Sequence, residues 1–120
     1  MEKQNVIREK SYTFSLDVVR FCSDVLMKQK KEYVTGKQFL KSGTSVGANV
    51  AEAVSAPSKK DFAHKLSIAL KEARESHFWL CLIKDANIVE QTRMSSLFAQ
   101  VDEIIALLTA ILKTTRISLE

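Results

Sequence analysis

Apolar residues recur along this chain at intervals of three and four, the spacing that lines up side chains on one face of an α-helix. Phe14, Val18, Phe21, Cys22 and Val25 form the first such stripe and predict a helix over about residues 11–30. Ser11 stands where an N-cap belongs, and the lysines of "KQKK" fall where a helix C-terminus favours cations. Thr35 and Gln38 have capping-box spacing, which predicts a second helix over about 36–56 that Pro57 stops. Ser58 and Asp61 offer a cap for a third helix over about 59–86, with Phe62, Leu66, Ala69, Ala73, Leu80 and Ile83 on its buried face. A fourth helix, over about 93–116 with Thr92 as its cap, carries Met94, Leu97, Val101, Ile104, Leu108 and Ile111 in one seam. Phe98, Ile105 and Leu112 make a second seam beside it. Four helices joined by short connections predict an all-α, antiparallel, up-down-up-down four-helix bundle.

The 120 residues suit one domain spanning 1–120, and a single proline with three glycines leaves few breakpoints. The charged start "MEKQNVIREKSY" has no apolar core of a signal peptide, and no uninterrupted apolar run has membrane-spanning length, so no membrane is expected. Cys22 and Cys81 lie among apolar neighbours, as free thiols do in a reduced, cytoplasmic setting. The net charge of +4 is uneven: 11 basic residues face 6 acidic ones through Lys60, and 7 face 8 thereafter.

The stretch "SGTSVGANVAEA" places two of the three glycines inside the second helix. Each costs roughly 1 kcal/mol there relative to alanine, so the missing side chains must serve a purpose. Gly43, Gly47 and Ala51, four apart, form a nearly bare stripe against which another backbone can lie. Ser42, Ser45, Asn49 and Glu52 run beside it as a polar line, open either to solvent or to hydrogen bonds between helices or subunits. The paired seams of the fourth helix are open in the same way: a broad core stripe, or one seam for the core and one for another subunit.

The stretches "KSYTFSLDVVRF", "FLKSGTSVGANVAEA" and "ALKEARESHFWLCLI" together resemble the four-helix bundle family encoded in intervening sequences of bacterial 23S rRNA genes. That family is similar to the accessory variability protein of diversity-generating retroelements, a pentameric barrel of bundles that binds nucleic acid and a reverse transcriptase. The resemblance implies a homo-oligomer, a pentamer by preference, without catalysis. It maps family positions onto Gly43, Gly47, Ala48, Asn49, Glu52, Lys71, Glu72, Ala73, Trp79 and Leu80. Gly43, Gly47, Asn49, Glu52, Glu72 and Trp79 are thus the candidates for structural or subunit contacts. Lys41 departs from the arginine common in the family, keeping the charge and losing the bidentate fork. Arg74 and His77 stand where asparagine and glutamate are expected.

Little in the chain speaks for an enzyme. A di-metal bundle site needs Glu-x-x-His pairs, and this chain offers only Asp61 with His64; no nucleophile motif, phosphate loop or paired-cysteine signature is present, so neither metal nor cofactor is expected. An up-down bundle brings Lys28, Lys30, Lys31, Lys37, Lys41, Lys84 and Arg93 toward one pole, with Glu32, Asp85 and Glu90 as the opposing charges. Repeated around a ring, this pole would hold the phosphates of RNA or DNA; alone, the same lysines offset helix dipoles and keep the surface soluble. The alternative partner is a protein, with Trp79 either core or a contact anchor.

Overall fold

The computed structural model describes residues 2–119, and in it four long helices run back and forth along a body of 47 × 20 × 20 Å. Helix α1 (Glu2–Phe21) continues as a π-helical stretch (Cys22–Gln29); α2 (Tyr33–Val54), α3 (Lys59–Asp85) and α4 (Ser95–Leu119) follow, with one 3₁₀ turn (Gln91–Arg93) ahead of α4. Each helix packs on the next, and α4 closes the bundle against α1. Phe14, Val18, Leu26, Phe39, Val46, Val50, Leu66, Leu80, Ile83, Ile104 and Leu108 fill the centre with no exposed surface. The rings of Phe21 and Phe39 meet edge to face at 6.2 Å.

Helix α1 begins at Glu2, nine residues before the expected start, and Ser11 is no cap. It is buried, and its hydroxyl donates to the Arg8 carbonyl at 3.1 Å. Ile7, Ser11, Phe14 and Val18 form one continuous inward line. A serine occupies that line where α2 comes close: a Cβ on Gly47 would lie 3.1 Å from the Ser11 carbonyl oxygen.

At its other end α1 widens. The Lys30 amide donates to the Val25 carbonyl at 3.0 Å, a span of five residues, and the Glu32 amide donates to the Leu26 carbonyl at 2.8 Å. Lys31 takes the left-handed conformation (φ 60°) that ends helices, and Asn87 (φ 58°) does the same after α3. Because the chain is tied so closely to the end of α1, α2 starts at Tyr33 rather than after Thr35. The Gly36 amide already donates to Glu32, and Glu32 caps the helix without a side-chain bond, so the Thr35–Gln38 box does not form the start.

The cap of α3 forms as expected. The Ser58 hydroxyl accepts from the Asp61 amide at 3.1 Å and donates to the Asp61 carboxylate at 2.8 Å. Phe62 is half-buried against the core, and the inward position next to it belongs to Ala63. Thr92 lies inside the 3₁₀ turn, and its carbonyl accepts from the Ser95 hydroxyl. Along α4 the whole first seam is buried, Leu112 with it, while Phe98 and Ile105 are half-buried against the same core. Both seams therefore face inward. By length and composition α4 is apolar enough to cross a membrane, with a mean hydropathy of 1.6 over an 18-residue window; here its seam residues fill the bundle.

Candidate nucleic-acid interface

The ends of α1 and α3 and the starts of α2 and α4 meet at one pole. An Arg93 guanidinium nitrogen donates to the Gln29 side-chain oxygen at 3.1 Å, joining α4's approach to the end of α1. The Lys84 ammonium lies 5.6 Å from the centre of the Phe98 ring, joining α3 to α4. Gly36 packs on Met27, joining α2 to α1.

The expected cations divide into two groups. Lys28, Lys30, Lys31, Lys37 and Lys41 are exposed, and none forms an ion pair among the described residues. Lys84 is half-buried, 3.7 Å from Asp85, and Arg93 is engaged with Gln29, so both are partly committed. At about 1.5 Å of rise per residue, Lys41 sits roughly 12 Å along α2 from Tyr33, on the flank of the pole rather than its tip. Asp24 adds a carboxylate, exposed on the widened end of α1, that the sequence-based inventory of the pole omits. The opposite pole also carries exposed cations, Lys59, Lys60 and Lys113, while Arg116 there donates to Ser67.

Most of the candidate contact residues find partners within the chain. A Cβ on Gly43 would lie 2.5 Å from a Val18 methyl, and one on Gly47 2.5 Å from the Ser15 hydroxyl, so the bare stripe of α2 receives α1 at its two glycines, while Ala51 is exposed. The Ser15 hydroxyl donates to the Gly43 carbonyl at 2.8 Å and accepts from the Gly47 amide at 3.0 Å, bridging the two glycines. Sequence reasoning passed over Ser15, whose partners lie 28 and 32 residues away on α2. On the other side of α2, the buried Ser76 and Ser42 hydroxyls bond at 3.1 Å. Asn49 donates to the Ser45 carbonyl of its own helix, and Glu52 pairs with Lys65 of α3 at 3.0 Å. That exposed pair is worth about 0–1 kcal/mol. Glu72 is half-buried on α3. Trp79 is half-buried against the core, its indole N–H donating to Glu75 at 3.2 Å, while the neighbouring Phe78 ring is exposed.

No group of three metal-ligating side chains occurs among the described residues, and Asp61, the would-be partner of His64, is committed to the Ser58 cap. What the pole offers chemically is positive charge on flexible side chains, with no set of donors aimed at a reacting atom.

Residues 3–110 match the family model of the 23S rRNA-intervening sequence protein. The chain belongs to that family. A solved structure similar to it is a protein with unknown function from the S23 ribosomal protein family of Bacteroides thetaiotaomicron, 41% identical, with a TM-score of 0.88 over 92% of this chain and 98% of that one. No curated protein matches the chain. Membership in the 23S rRNA-intervening sequence protein family agrees with the bundle architecture, and it brings no catalytic assignment.

Proposed function

We propose that this 23S rRNA-intervening sequence protein is a non-catalytic homo-oligomer, pentameric by preference, that holds nucleic acid through the phosphate charge of its basic pole. The observation that carries the reading is the set of five exposed lysines, Lys28, Lys30, Lys31, Lys37 and Lys41, without ion-pair partners among the described residues. Ammonium groups on flexible stems suit a phosphate backbone and carry no base-reading geometry, so binding is tolerant of sequence. Replacing Lys28, Lys30, Lys31 and Lys37 with glutamine is expected to weaken binding of labelled RNA and duplex DNA alike, whereas Lys113→Gln at the opposite pole is expected to have little effect. Equal losses from the two changes would mean that no particular pole binds.

A second reading, a scaffold for a partner protein such as a reverse transcriptase, is favoured by apolar side chains that the bundle leaves outside. Tyr12, Val34 and Phe78 are 67%, 77% and 55% exposed. The same side chains support self-association, because Gly43 and Gly47 of α2 pack on α1, and both seams of α4 pack on the core, within one chain.

A further inference from the structure

One cluster of reactive side chains, beside Lys84 across the Phe98 ring, has no part in the phosphate-binding reading. On α3, Cys81 and His77 are one turn apart, and the Cys81 Sγ lies 3.7 Å from His77 Nδ1. The other ring nitrogen, Nε2, faces the Asp102 carboxylate of α4 at 3.6 Å. The edge-to-face contact of Phe98 with the imidazole, at 5.8 Å and 84°, fixes the plane of the ring. Because its two nitrogens address different partners, the imidazole cannot chelate one ion with both neighbours; it lies in series between a thiol and a carboxylate. That is the order of nucleophile, base and orienting acid.

We propose that Cys81 is a hydroperoxide-reactive thiol, with His77 as its proton acceptor and donor and Asp102 as the positioning residue. His77 Nδ1 takes the thiol proton, and the sulfur attacks one oxygen of the peroxide. The S–O bond forms as the O–O bond breaks, and the departing oxygen leaves with the bonding pair and takes the proton back from His77. Cys81 becomes a sulfenic acid, oxidised by two electrons, and hydrogen peroxide is reduced to water. Asp102 faces the positive charge that the ring carries between the two proton transfers. Acyl transfer does not fit the same atoms: Cys81 lies inside α3, where backbone amides are taken up by the helix and offer no oxyanion hole. Cys22 supplies an internal contrast, fully buried, with burial pushing its thiol up to about 12.

The reduced full-length chain, treated with limiting hydrogen peroxide in the presence of a sulfenic-acid trap, tests the proposal by mass spectrometry of both cysteines. Cys81 is expected to label at least about ten times faster than Cys22 in the folded protein, and the two at similar rates in denaturant. His77→Gln lowers the Cys81 rate about tenfold, Asp102→Asn lowers it less, and Asp102→Glu restores it, a rescue that a purely structural role would not give. Both substituted positions are partly exposed, so the variants are expected to fold, which circular dichroism checks. Labelling of Cys81 at the rate of Cys22 in the folded protein, or an unchanged rate in folded His77→Gln, overturns the proposal.

Discussion

Gly43 has no room for even a methyl group. Its added Cβ would stand 2.5 Å from a methyl of Val18, and a β-branched residue in a helix has essentially one rotamer to retreat into. Gly36 is the contrast: its Cβ would meet Met27 at 3.1 Å, and methionine has three rotatable bonds with which to give way. Gly43→Ala is therefore expected to destabilise by about 1–3 kcal/mol despite its gain in helix propensity, while Gly36→Ala is neutral or stabilising by up to about 1 kcal/mol. Thermal unfolding of the two variants side by side checks this; equal shifts would contradict it. The bare stripe was legible from the spacing of glycines in "SGTSVGANVAEA", because only a close approach accounts for two such costly residues in one helix. Which helix fills it was not legible. The bridging role of Ser15 depends on α1 lying over the glycines, and nothing local distinguishes this serine from a solvated one.

At the scale of the element, the inward line of α1 extends through Ile7, although Ser11 reads as a boundary. A serine before an apolar run signals an N-cap when only local chemistry is considered. Here tertiary contact overrides it, since the small side chain lets α2 approach and the helix runs on to Glu2. Ile7 is fully buried, so Ile7→Ala is expected to cost about 2–5 kcal/mol, which a residue ahead of the first helix would not. Denaturant unfolding measures it, and a loss below about 0.5 kcal/mol would place the first two turns outside the cooperative core. Ser58 shows the opposite case. Its cap was legible because Pro57 and Asp61 fix the geometry locally, without help from another helix. Thr35 failed as a cap because the Glu32–Leu26 bond starts α2 earlier than any local signal does.

Across the whole molecule, the antiparallel order was legible because short connections leave four long helices few other arrangements. The pole of lysines followed from that order, and the structure brings its four helix ends together. Its acidic content and the cations of the far end were less legible. Asp24 sits on a widened helix that periodicity does not reveal, and Lys59 and Lys60 open α3 at the opposite pole. Self-association is now expected from exposed Tyr12, Val34 and Phe78 rather than from the seams of α4. Light scattering at micromolar concentration is expected to report several subunits, five by preference, and a monodisperse monomer would contradict the oligomer.

The most direct test of nucleic-acid binding at the pole is the salt dependence of affinity for a single-stranded RNA, compared between the natural chain and the fourfold glutamine variant at Lys28, Lys30, Lys31 and Lys37. If the five free lysines contact phosphates, the logarithm of the binding constant falls against the logarithm of salt concentration with a slope of about −3 to −4 per site, and the variant's slope is shallower by about 3. The same slope in both proteins, or no binding at low salt by an intact assembly, would contradict binding through this pole.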